Sequence, residues 1–431
     1  MKSLVLLRRV LLATGAAVAL WLFAFGVGTT LRTRASSAQW PAGLGALTSV
    51  PSRYPAHPAS TEALQLVTLA APLGVELRQA RAVPLHRKVG EQAALAAIAE
   101  PLGAFVNLHF SRPTDVIDAP PAALGDYLET HAGPIESLRR HLVDHNGRIQ
   151  WAVDLTKGTD MPFPNLLGHM QLSRLLAADA LVRARRGDNP GAWEDLHAIW
   201  SLGGALRSRP EIISQLIALA GARIANALAR KLPAPAPQWH QELAQFDLET
   251  PALWAMQAEA WRESFAIESF GLGDGSRGDR AFSLALLPYT RLASAGMIDQ
   301  QRFAIARLVA TGQTCAFNGS ELDGKVIEAA PHWNFAARVA STMRLGSSWQ
   351  RLRRYSLEAE GTSKIVALKK ARIDNGGSWP ATVPGLTTSR CSDGRWLYAV
   401  TGDSISLQFS REIPMPPNQK VGAPLVQTSK G

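Results

Sequence analysis

The side chains from which chemistry could be built are few: ten histidines, two cysteines and twelve tryptophans among 431 residues. His141 and His145 stand four apart, which puts both rings on one face of a helix, with Glu136 and Asp144 near enough to share a metal. Two imidazoles do not complete a tetrahedral site, and the His-Glu-x-x-His order is missing, so surface rings on an amphipathic helix are the plainer expectation. His169 and His197 suit either a general base or a partly buried ring bonded to a backbone carbonyl, the second being commoner on helices. Asp274-Gly275-Ser276-Arg277-Gly278 approaches a nucleophile elbow but lacks its first glycine and its strand-turn-helix setting. Gly271–Gly278 has no Lys-Ser/Thr after it to cradle phosphate, and neither a Ser-x-x-Lys dyad nor a dinucleotide fingerprint occurs. The sequence thus assigns no catalytic, cofactor-binding or metal-ligating residue.

Cys315 and Cys391 belong to no Cys-x-x-Cys pair. In an oxidising compartment they would join, closing a loop worth on the order of 4–5 kcal/mol in the chain-entropy model; otherwise they are two buried thiols, and both alternatives stand. Trp193 with Trp200, and Trp254 with Trp261, recur seven apart and so share helix faces. Indoles at that spacing either pack a core, in which case Trp254→Ala unfolds it, or line a groove for an apolar peptide, lipid or glycan.

The elements that must position these residues begin at the N-terminus. Lys2, Arg8 and Arg9 precede an uncharged run from Val10 through Leu20 to Leu31, long enough to cross a hydrocarbon core of ~30 Å at ~1.5 Å per residue. An uncleaved signal-anchor is expected, with cleavage after Ala38 as the alternative, since ordinary signal peptides have apolar regions of only about 7–15 residues. The positive-inside rule keeps the N-terminus cytoplasmic and exports the rest, into the periplasm in the bacterial setting that the Arg and Ala usage suggests. A lipid bilayer is then one partner and an envelope protein a possible second. No further apolar run of spanning length is expected. The net charge of +10 comes without any block of five or six Lys/Arg or an aromatic-basic sheet pattern, so it reads as solvated surface and nucleic acid is not expected as a partner.

The fold class expected is mainly α: an antiparallel helical bundle or helix-hairpin array, with an N-terminal transmembrane helix and a small C-terminal α+β unit of helix plus β-hairpin. Residues 1–34 form the anchor, and 35–60, with Pro41, Pro51, Pro55 and Pro58, an extended tether. Residues 61–311 form the helical domain, 312–418 the C-terminal unit and 419–431 a loose tail. Three helices between Leu166 and Leu232 carry the clearest punctuation. Gly187 ends the first, Asp188 or Asn189 caps the second, Ser208 and Glu211 have capping-box spacing for the third, and Pro233 stops it. Further helices are expected over 61–69, 91–110, 135–146, 251–270, 284–310 and 335–356, with a short strand at Ile149–Val153. Gly271–Arg280 reads as a surface loop.

Beyond Ile365 a short Lys-rich helix, a Gly-x-Trp-Pro step at Gly377–Pro380 and the string Asp393–Asp403, with a hairpin turn at Gly402-Asp403, close the chain. This ending, from the helix around Ala367–Ile373 onward, resembles the C-terminal part of type II secretion pseudopilins, as on other Ala/Leu-rich bacterial envelope proteins. The resemblance covers about an eighth of the chain. Pilin-like proteins carry a glutamate inside their apolar helix and Val10–Leu31 has none, so assembly into a pilus is not implied; nor is calcium, for which two aspartates are too few ligands. The function expected is that of a membrane-anchored envelope scaffold or binding protein without catalysis, the alternative being an envelope hydrolase whose residues come from distant helices.

Overall fold

The computed structural model describes residues 2–79, 89–269, 277–341, 344–414 and 424–430. Helix α1 (Lys2–Ser37) is followed by a two-residue ribbon, β1 (Gln39–Trp40) with β2 (Gly45–Ala46), and a single turn, α2 (Val50–Arg53). Then come α3 (Thr61–Ala70), α4 (Val89–Ser111), α5 (Ala122–Thr130) and α6 (Ala132–Asp144). The central run is α7 (Leu166–Arg185), α8 (Asn189–Arg207) and α9 (Ile212–Ala229), which pack on one another. After it lie α10 (Trp239–Gln245), α11 (Glu249–Ser269), α12 (Arg277–Ala310), α13 (Gly319–Ala329), α14 (Phe335–Ser341) and α15 (Leu345–Asp374). Strands β3 (Trp396–Thr401), β4 (Ser404–Phe409) and β5 (Val426–Lys430) form an antiparallel sheet in that order.

Local chemistry accounts for the central punctuation. Gly187 takes φ 86°, the left-handed turn that a side chain resists, and the Asp188 carboxylate accepts from the Gly191 amide at 3.0 Å to start α8. Asn165 does the same for α7. The expected capping box on α9 does not form. Glu211 is itself the N-cap, and its carboxylate is held by Arg209 and by Ser214 Oγ instead. A buried guanidinium outbids a backbone amide for a carboxylate, and Glu259 of α11 supplies the cap by accepting from Ile212 N.

Apolar residues from Ala35 to Ala359 make one main core, and a second core joins the sheet to the end of α15. Residues 35–60 are not a free tether: Trp40, Leu44, Leu47 and Val50 are buried in the main core, and Arg53 donates to Leu44 O and Gln257 Oε1, both at 2.7 Å. Of the prolines that suggested extension, Pro41 and Pro51 occupy first turns of short helices, where a missing N–H costs nothing, while Pro55 and Pro58 lie outside any helix. Position 312 is no boundary either, because α15 is one helix whose first half lies in the main core and whose second half lies under the sheet. The short Lys-rich helix is its C-terminal end. Ile149–Val153 is extended but bridges only His57 at Val153, so it is not a strand. The end of the chain is no loose tail throughout, since β5 pairs with β4 from Val426 to Lys430. Helices α5, α10 and α13, each short, were not foreseen. Of the expected surface loop, 271–276 lies outside the described residues, and Arg277 already begins α12.

Helix α1 is long and apolar enough to cross a membrane, and none of the residues in its most apolar window is buried. By length and composition α4 and α9 qualify as well, contrary to the expectation of a single such run. Ala-rich core helices reach spanning hydropathy because they are buried on most sides, as α9 is between α7, α8, α11 and α15.

Candidate functional site

Helix α15 is the spine on which both cores meet. Its start is held by Asp323, whose carboxylate oxygens accept from Gly346 N at 2.7 Å and Ser347 N at 3.1 Å, an acid placed at the positive end of the helix. Leu345, Trp349, Leu352 and Tyr355 face the main core, while Leu357, Ile365 and Leu368 face the sheet. Between these faces runs a seam of buried charge. Arg223 of α9 grips Glu358 with two parallel bonds of 2.8 and 2.7 Å, and Arg354 adds a third at 3.1 Å. Arg230 donates to Thr362 Oγ1, Glu358 O and Pro424 O, tying α9 to α15 and to the approach of β5; burial pushes its pKa down to about 10.

Two of the clefts that open along this spine carry an ion pair in their walls. The larger, about 540 Å³, lies between the α10–α11 junction, the end of α12 and the segment around Arg390, with Arg353 and Ser356 on its α15 wall. Arg353 pairs with Glu249 at 3.0 Å and lies over the Trp349 ring; burial raises the Glu249 carboxyl. The smaller, about 330 Å³, lies beyond the end of α9. There Lys369 Nζ sits 3.2 Å from Asp115 Oδ2, Lys231 Nζ donates to Thr114 O at 2.6 Å, and the Arg372 guanidinium covers Trp379 at 4.8 Å. Asp115 also accepts from Gln427 and Ser429 of β5, both at 2.8 Å. Burial pushes Lys231 down to about 8, with Asp115 pulling the other way, so it remains protonated at neutral pH. Lys231, Lys369 and Arg372 line the cleft with Asp115, Arg372 also lying 3.8 Å from Asp403, against apolar walls from Pro233, Ala234, Ile373 and Trp379. That arrangement can hold an anionic group attached to an apolar body. Neither cleft is lined by a histidine.

The residues singled out from sequence are scattered. Cys315 and Cys391 form a disulfide with Cα atoms 5.5 Å apart on the wall of the larger cleft. With Asp393 they lie close enough to suggest a metal, but disulfide sulfurs are not thiolates, and Asp393 accepts from Cys315 N and Ala316 N at 3.1 and 3.0 Å. His141 and His145 stack on each other; His141 Nε2 donates to Glu62 O at 2.9 Å, and Glu136 binds Arg139 and Arg140 rather than either ring. His169 is fully buried, with Nδ1 donating to Asn165 O at 2.8 Å and Nε2 accepting from Trp151 Nε1 at 3.1 Å, and burial pushes it down to about 4. His197 stacks flat on Trp239. Trp193 and Trp200 are core residues, whereas Trp254 is 36% exposed beneath Arg53 and Trp261 stacks on Phe265. The indoles therefore line no common groove. Lys231, Lys369, Arg372 and Trp379 were not foreseen as a group. Only the adjacent Arg230-Lys231 before Pro233 and the lysines of the last helix hinted at them. The chain matches no protein-family model, no characterised protein and no solved structure with which it was compared.

Proposed function

We propose that this is a single-span, membrane-anchored protein of the cell envelope whose exported body binds its target rather than transforming it, with the smaller cleft as the recognition site. The observation that carries the reading is α1, whose most apolar window contains no buried residue although α12 packs along one side of it. Apolar surface on that scale needs lipid or a partner, and Arg8 and Arg9 at its start orient the body outward. Three cations beside an indole favour an anionic, partly apolar ligand. A C-terminal reporter active only in the cytosol should stay silent; a signal there sinks the topology. Titration with a short-chain alkyl phosphate should give an affinity that falls as pH rises through about 8, where Lys231 loses its proton. Lys369→Met should weaken binding on the order of tenfold while Lys369→Arg retains it. Binding unaffected by pH and by both variants would remove the cleft from the proposal.

A further inference from the structure

The relation between α1 and α12 bears on how the anchor sits in lipid. Trp21 Nε1 donates to Ala285 O at 3.1 Å. One helical stretch later, a Cβ on Gly28 would stand 3.0–3.3 Å from Arg291 Cβ, Pro288 O and Leu292 Cγ. The contacts advance in the same direction on both chains, so the two helices run parallel, and glycine is what lets them approach so closely. At ~1.5 Å per residue, 281–290 lie beside roughly residues 17–27 of α1. The uncharged run Val10–Leu31 of α1 is ~33 Å long, about the thickness of a hydrocarbon core of ~30 Å, and residues 17–27 lie inside it, so lipid that covers the run also reaches α12.

We propose that the protein enters its membrane on two helices rather than one, with residues 281–290 of α12 lying in the lipid beside α1. The proposal rests on the anchor reading above. Ala281–Thr290 contains no charged residue, and Phe282, Leu284 and Tyr289 are 60%, 53% and 41% exposed. Tyr289 Oη donates to Trp333 O at 3.4 Å, where Trp333 and Phe335 add exposed aromatic surface at the end nearer the body, the level at which amphipathic rings meet headgroups. Arg277, Asp279 and Arg280 oppose insertion, since they precede the run and lie deeper. The burial of three large side chains is of the same order as that opposition, so the hold of α1 through Trp21 and Gly28 decides the outcome: the anchor carries α12 in, while the long Arg280 side chain reaches for headgroups.

The test uses the full chain in nanodiscs of mixed anionic and zwitterionic phospholipid bearing a diazirine in the acyl chain, with adducts mapped by mass spectrometry. Adducts in both Val10–Leu31 and 281–290, with none at the exposed but distant Leu167, are expected. Adducts in Val10–Leu31 alone overturn the proposal and leave the anchor standing; adducts in neither overturn both. Gly28→Leu should abolish labelling of 281–290 while α1 remains labelled, and undiminished labelling of 281–290 in that variant would show that α1 does not carry α12 into the bilayer.

Discussion

The paired helices α1 and α12 and the α9–α15 seam obey opposite burial rules. In the first, Leu20, Leu22, Phe23, Phe282 and Leu284 are more than half exposed. In the second, Arg223, Arg230, Arg354 and Glu358 are each at least nine-tenths buried. A contiguous apolar surface is favoured where the surroundings are not water, and buried charge where each ion meets a partner of fixed geometry. The difference sets the α1–α12 pair apart as the part of the described surface that favours a non-aqueous neighbour.

The largest effect should come from breaking the seam. Glu358→Gln leaves Arg223 and Arg354 buried without their shared anion, and a loss of about 3–5 kcal/mol in urea unfolding of the detergent-solubilised protein is expected. A loss below about 1 kcal/mol would mean that packing, not ion pairing, joins the two cores. At the other end, Leu20→Arg places a cation on the exposed face of α1 and should cost about 2.5–3.5 kcal/mol of insertion, seen as a fall in the carbonate-resistant fraction. Unchanged resistance would show that this face does not meet lipid.

A smaller effect sharpens the contrast by asking what a buried polar group does without a counter-ion. His169 stays neutral in the folded protein because its pKa is pushed down to about 4, and the unfolded chain takes up its proton near 6.5. Between those values the unfolded state binds more protons, so the contribution is complete above about pH 6.5 and is lost as pH falls towards about 4, up to roughly 3 kcal/mol. His240, held at about 4 by burial alone, adds a similar slope. Burial lowers His109, His141 and His197 as well, so His169→Gln should reduce but not abolish the acid-side slope in thermal unfolding, and an unchanged slope would place the titration elsewhere.

By itself the sequence determined what neighbours along the chain can settle. Gly187 and Asp188 end one helix and start the next within a few residues, the β3–β4 hairpin turns at Gly402-Asp403, and Val10–Leu31 is apolar whatever packs near it. These features depend on backbone conformation and on side chains reaching only a turn away, so a one-dimensional pattern carries them. Tertiary structure alone decided the rest. Glu211 caps nothing with its side chain because Arg209 claims the carboxylate. Residues 35–60 pack because Trp40 and Val50 find a core built elsewhere, and β5 exists because β4 offers it an edge. The cleft could not be read from sequence for the same reason: Asp115, Lys231 and Lys369 lie more than a hundred residues apart, and only the folded packing of α9 against α15 closes that distance, for which no local pattern is required or left behind.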